Sequence, residues 1–165
     1  MKVQLAADLQ PDSIVDGDGI RTVIWFQGCP HKCPGCQNPE THNINEGITL
    51  DIEEVKEKIN QLEYQNGITL SGGDPFMQPK SASEIAQYAH SLGYSVWCYT
   101  GYLYEVIIKD EKLMELLKNI DVLIDGPFLL KEKSLNCKFR GSKNQRIIDV
   151  QKSLEQKEVV LYYED

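Results

Sequence analysis

The sequence predicts an α/β fold in which parallel strands form a partial, incomplete β/α barrel, and three observations predict it. Strand-like and helix-like patterns alternate along most of the chain, which implies parallel strands joined by crossover helices. The segments with distinctive chemistry fall just after strand-like runs, on the edge where α/β sheets bind ligands. A closed eight-stranded barrel usually needs about 200 residues or more, and this chain has 165. The barrel is therefore expected to be open on one side, which a large partner could cover, and residues 1–165 are expected to form a single domain.

The elements follow from local pattern. Residues 21–27 (RTVIWFQ) are rich in β-branched and aromatic side chains and end at Gly28, so they predict a strand. Residues 51–62 place Ile52, Val55, Ile59 and Leu62 on one helical face, with Asp51 and Glu54 in a capping relation at the start. Residues 67–70 predict a short apolar strand running into Ser71-Gly72-Gly73-Asp74-Pro75, where glycines and a proline argue against regular structure. A helix is expected over 81–92, capped by the Ser81/Glu84 pattern, then a strand over 94–99. Residues 103–118 read as helix with a break near Lys109-Asp110, and 121–125 (DVLID) as a strand closed by the Gly126-Pro127 turn. Further strands are expected near 146–150 and 159–163.

Composition excludes several classes. A formal charge of −8 and a pI near 4.9 argue against general nucleic-acid binding, which normally shows a basic footprint. No run approaches the length of a membrane span. The cysteines number five, and the opening MKVQLAADLQPDS carries no apolar stretch of signal-peptide length. A disulfide framework is thus not expected, and the chain is expected to work in a reducing cytoplasm. Charge is uneven, however: between Lys131 and Arg146 six basic residues face only Glu132. That stretch reads either as a solvated loop or as a site for an anion or an acidic partner.

The densest chemistry lies in Cys29-Pro30-His31-Lys32-Cys33-Pro34-Gly35-Cys36. A cubane iron–sulfur cluster has four iron corners and normally takes four cysteines, so a CxxxCxxC loop leaves one iron for a ligand that is not protein. Zinc is the alternative, completed as Cys3His by His31 or His42, although structural zinc ligands usually arrive as two separated pairs. The Gly72-Gly73-Asp74 loop suits close approach of a ligand, with Asp74 available to a cationic group. The amine and carboxylate of an amino acid would satisfy both Asp74 and an open iron. Among the remaining residues, Cys98 reads as a small buried hydrophobe and Cys137 as a loop thiol. Trp25 reads as core, Tyr99 and Tyr102 as rim packing, and Asp16, Asp18 and Arg21 as ordering the loop before the first strand. Arg140 and Arg146 read equally as surface residues or as partners of a carboxylate.

At these positions the sequence resembles the radical S-adenosylmethionine superfamily, whose CxxxCxxC and GGE-type loops stand here as Cys29/Cys33/Cys36 and Gly72-Gly73-Asp74. Within it the chain is similar to the subgroup of activases that serve anaerobic ribonucleoside-triphosphate reductases. The stretches that carry this likeness are residues 16–22 (DGDGIRT), 33–36 (CPGC), 72–75 (GGDP), 97–102 (WCYTGY), 121–128 (DVLIDGPF) and 139–146 (FRGSKNQR). The resemblance implies a partial barrel of the radical-SAM type and a [4Fe–4S] cluster with Cys29, Cys33 and Cys36 on three irons. S-adenosylmethionine would chelate the fourth iron, with contacts from Gly35, Cys36, Gln37, Gly72, Gly73 and Asp74. An electron from a donor such as a flavodoxin would break the sulfonium C–S bond, giving methionine and a 5′-deoxyadenosyl radical. That radical would take hydrogen from a glycine Cα in the large subunit of the reductase, an oxygen-sensitive chemistry suited to an anaerobic setting.

Two departures from the wider superfamily accompany the likeness. The residue before the last cysteine, often aromatic there, is Gly35, and the usual Glu of the glycine loop is Asp74; both look like the reductase-activase subgroup. With only Cys98 and Cys137 left over, no extra ferredoxin-like cluster is expected. Two other functions are open at this stage: a radical enzyme acting on a small molecule, and a non-catalytic zinc-stabilised binding module.

Overall fold

The computed structural model describes residues 1–31, 33–36 and 39–163. Eight strands form one mixed sheet: β1 (Lys2–Leu5), β2 (Gln10–Ser13), β3 (Arg21–Phe26), β4 (Ile48–Asp51), β5 (Gly67–Gly72), β6 (Ser95–Tyr99), β7 (Val122–Asp125) and β8 (Arg146–Asp149). Their order is β4-β1-β3-β5-β6-β7-β8, with β2 also pairing to β3. The centre, β3-β5-β6-β7, is parallel. Its flanks are antiparallel, through β8 on β7 and through β1, β2 and β4 on the other side. The expected parallel barrel is thus confined to four strands, each edge being finished by short antiparallel ones.

Helices α1 (Ile52–Asn60), α2 (Pro79–Ser91), α3 (Tyr104–Ile107), α4 (Glu111–Leu117) and α5 (Val150–Gln156) complete the chain. The period-two alternation of the strands decides what meets what. Ile24, Phe26, Ile68, Leu70, Val96, Cys98 and Leu123 turn to one face and join Val55, Ile59, Ile85, Ala86, Ala89 and Leu116 from the helices in the main core. Their neighbours Trp97, Val122, Ile124 and Ile147 form a second, smaller cluster with Tyr99, Phe139 and Tyr163 on the opposite face. Cys98 is fully buried in the main core, as its sequence context predicts, and burial raises its thiol pKa well above the usual range.

The strand starts are bound by Arg21. Its guanidinium, 1% exposed, donates from Nε to Thr69 Oγ1, from Nη1 to the Asp18 carbonyl and Ser95 Oγ, and from Nη2 to the Ile68 and Ser95 carbonyls, all at 2.8–3.0 Å. All five donors of the fork are used. Burial holds the group down to about 10, against the raising influence of Asp121 and Asp18, so it stays charged near neutrality. Arg21 therefore does more than order the preceding loop: it stitches β3, β5 and β6 together at one end.

Several local expectations are corrected. β5 continues through Ser71 to Gly72, because those residues pair in register with Trp25 and Phe26 of β3, and a 3-10 turn follows at Pro75–Met77. α2 begins at Pro79 rather than Ser81, whose hydroxyl instead donates to the Lys2 carbonyl from inside the helix. Asp51 caps α1 as expected, but through the Glu53 amide, and Asp110 caps α4 at the anticipated break. Residues 159–163 make a single bridge, Leu161 to Ile148, instead of a strand. They follow the unforeseen α5 and a left-handed Lys157, and the hydroxyls of Tyr162 and Tyr163 turn to the Asp18 carboxylate. Strands β1, β2 and β4, four residues each, are not anticipated from the sequence: β2 (QPDS) is polar, and KVQL and ITLD alternate over too short a run to stand out.

Two measurements follow from these contacts. Arg21→Lys cannot reproduce the five-pronged fork, and should lower unfolding free energy by about 2 kcal/mol in a denaturant titration, the scale of lost hydrogen bonds to a charged group. His90 lies 2.7 Å from Asp121, whose hydrogen bond raises the imidazole pKa above its usual value. That contribution is complete below about pH 6.5, the unfolded value, and is lost as pH rises through the folded value. The melting temperature should fall over that window, and less so in His90→Asn.

Candidate metal centre

The parallel register places the loops leaving β3, β5, β6 and β7 at one end of the sheet. There they surround a cavity of about 570 Å³, a size suited to a cofactor. Cys29, Cys33 and Cys36, from the loop after β3, all line it. Gly72 and Gly73 come from the end of β5, Tyr99, Thr100 and Gly101 from the end of β6, and Gly126 and Phe128 from beyond β7. Leu135 and residues 137–141, including Cys137, Lys138 and Arg140, complete the lining. The segments singled out in the sequence are thereby assembled at one place.

The three thiols are half-buried and free of disulfides. Burial pushes Cys29 up to about 11; Asp74 and the other two sulfurs add to the rise, and a hydrogen bond from the His31 backbone N–H opposes it. Cys36 receives the Nε2 edge of His42 at 3.4 Å. Among the described residues no three Cys, His, Asp or Glu side chains converge on a single metal ion. Cubane ligands need not converge, because each thiolate bonds to a different iron corner, so three thiols spread over one wall fit a [4Fe–4S] cluster with an open corner. Of the two histidines considered as a fourth zinc ligand, His31 has its Nε2 committed elsewhere, 2.6 Å from Asp74.

Asp74 is fully buried and is not on the cavity surface. Its Oδ1 accepts from the Phe76 N–H and its Oδ2 from the Gly101 N–H, each at 3.0 Å; the Thr100 hydroxyl reaches both oxygens and His31 the second. The carboxylate is thus saturated by this chain, and contact with a ligand amine requires His31 to give way. Gly35, with φ +73°, packs towards Leu130 and is exposed outside the cavity lining. Gln37 lies outside the described residues.

Other side chains are sorted by the structure. Trp25 is not core: it lines the cavity, with its indole N–H on Gln10 Oε1 at 3.0 Å. Asp16 also lines it, and Tyr99 donates its hydroxyl to the Phe139 carbonyl. Tyr102 packs edge-on to His31, with ring centroids 4.6 Å apart. Arg146 is engaged by Asp125 at 2.5 Å and Glu105 at 2.6 Å, which places it in the scaffold. Within the basic segment, Lys138 and Arg140 face the cavity, and the Lys138 ammonium sits 4.5 Å from the Tyr163 ring centroid. Sequence reasoning missed Thr100 and underrated His31; a hydroxyl beside a rim glycine and a histidine inside a thiol loop were the available signals.

The fold is similar to that of QueE from Escherichia coli, with a TM-score of 0.51 over 61% of this chain and 53% of that chain, at 16% identity. The thiol set and the 4Fe-4S single cluster domain family, which matches residues 15–148, together define an iron–sulfur enzyme of the radical-SAM type. Anaerobic ribonucleoside-triphosphate reductase-activating proteins are similar over nearly the full length. That of Enterobacteria phage T4 is 39% identical over 84% of this chain and 90% of its own. Those of Haemophilus influenzae and Escherichia coli are 32% and 33% identical, over 83% and 82% of this chain and 92% of theirs. The chain belongs to the family of anaerobic ribonucleoside-triphosphate reductase-activating proteins.

Backbone proximity gives one prediction for this centre. Gly73 and Asp74 donate their amides to the Phe26 and Gly28 carbonyls, and a Cβ on Gly73 would collide with the Gly28 carbonyl and come within 2.7 Å of the Thr41 carbonyl oxygen. Gly73→Ala should lose about 2 kcal/mol of stability in a denaturant titration, the scale of an overpacked site. It should also retain less iron after reconstitution, read by colorimetric iron assay.

Proposed function

We propose that the protein activates an anaerobic ribonucleoside-triphosphate reductase by generating a glycyl radical on its large subunit. The observation that carries this reading is the placement of Cys29, Cys33 and Cys36 on the wall of one cavity at the strand ends, with the Gly72–Gly73 and Thr100–Gly101 peptides beside them. Named relatives that match along 90–92% of their own length support the choice of reductase as partner.

In this reading Cys29, Cys33 and Cys36 would hold a [4Fe–4S] cluster, whose open corner would be available to S-adenosylmethionine. When bound, the cluster supplies the electron, taken from a donor such as a flavodoxin, that cleaves the sulfonium to methionine and a 5′-deoxyadenosyl radical able to take hydrogen from a glycine Cα. The residues of this chain bind the ligand. Gly72 and Gly73 line the cavity with peptide groups, and their missing side chains leave room for the Phe26, Gly28 and Thr41 backbone that holds these peptides in place. Trp25, Tyr99 and Phe128 give apolar faces for an adenine. Lys138 and Arg140, in the same lining, attract the carboxylate end or an acidic segment of the partner.

The test is electron paramagnetic resonance on anaerobically reconstituted, reduced protein, without and with S-adenosylmethionine, and then with the reductase. A cluster signal that changes on adding S-adenosylmethionine, followed by a glycyl-radical signal on the reductase, is the expected result. Cys33→Ala should lose the cluster signal. Stoichiometric zinc without a reducible cluster would replace this reading with the zinc-stabilised binding module, and turnover of a small molecule without a protein partner would favour the other radical enzyme.

A further inference from the structure

His31 stands between two of the three thiols in sequence and lines the same cavity, yet its ring is engaged by a buried carboxylate. Its Nε2 donates to the fully buried Asp74 at 2.6 Å, and the Asp74 carboxylate is itself fixed by Thr100, Gly101 and Phe76. Its ring rests edge-on against Tyr102. Gly101 makes room for the ring, since a Cβ there would lie 2.5 Å from His31 Cδ2. One side chain therefore ties the cysteine loop to the buried carboxylate after β5.

We propose that His31 is a positioning residue: anchored by Asp74, it shapes the cysteine loop before iron arrives and so governs how readily the loop takes up a cluster. The uptake half rests on the function proposed above. The physical reason is entropic: a loop of three thiols costs conformational entropy to order, and a charge-assisted hydrogen bond to a buried acceptor meets that cost before metal binds. Asp74 then acts through His31 from behind the cavity wall, a different role from receiving a ligand amine.

Three variants test this on the full chain. His31→Ala removes the anchor; Gly101→Ala keeps every hydrogen-bonding group but takes the space of the ring; His31→Gln keeps an amide donor near the place of Nε2. Hydrogen–deuterium exchange on the iron-free protein should show the amides of residues 29–36 exchanging about tenfold faster in His31→Ala and Gly101→Ala, as for loss of one charge-assisted bond, and near the wild-type rate in His31→Gln. After reconstitution, the first two should take up less iron in a colorimetric assay, with His31→Gln restoring uptake. Wild-type exchange and iron uptake in His31→Ala and Gly101→Ala would overturn the proposal. So would a His31→Gln protein as impaired as His31→Ala, because a packing role alone would explain that result. If wild-type protein forms no cluster, the proposed function fails while the exchange data still decide the anchor.

Discussion

The rim of this barrel depends on one buried carboxylate. Asp74 accepts hydrogen bonds from Phe76 in its own loop, from Thr100 and Gly101 in the loop after β6, and from His31 in the loop after β3. A carboxylate without exposure costs several kcal/mol to desolvate unless donors surround it, so these three loops satisfy it together or leave it unsatisfied. Their mutual placement, and with it the position of the thiols, follows from that requirement. The peptides reinforce it: the Asp74 and Gly73 amides bond to the Gly28 and Phe26 carbonyls, and the Gly28 amide to the Thr41 carbonyl.

A buried cation plays the corresponding part at the strand starts. Arg21 spends five donors on the starts of β3, β5 and β6, and its flat face lies 5.5 Å from the Trp97 ring centroid. Between the two charged fasteners lies an apolar sheet, whose register is set because a one-residue slip would turn its core face outward. The parallel strands are thereby tied at both ends by charged groups with no direct ion pair between them. This leaves the middle of the sheet to apolar packing and the upper end to chemistry.

The two faces of the sheet serve different purposes. Val96 and Cys98 enter the helix-covered core, whereas Trp97 and Tyr99 turn to the other side and meet Phe139 and Tyr163. That second face has few aliphatic groups of its own and is completed by aromatic residues from the loop at 139 and from the segment at 162–163. Segments far apart in sequence therefore finish the inner side of the barrel. Residues of the same loop, from Leu135 to Gly141, line the cavity that holds the thiols, so packing of the inner face and shape of the site are coupled.

The sequence by itself determined what depends on neighbours along the chain: the central strands and their helices, the cap at Asp51, the break near Asp110, and the thiol and glycine loops at strand ends. Side-chain period, cap chemistry and cysteine spacing are local properties, and they survive without knowledge of the fold. Only the tertiary structure decided what depends on distant partners. It placed Trp25 on the cavity wall rather than in the core, carried β5 on to Gly72 through pairing with β3, and replaced a strand at 159–163 by a tail held at Asp18. It also turned Asp74 inward, to a histidine 43 positions earlier and a threonine 26 positions later. The physical reason is that a buried polar group takes whatever donors folding brings to it, and that choice is written in three-dimensional proximity rather than in spacing.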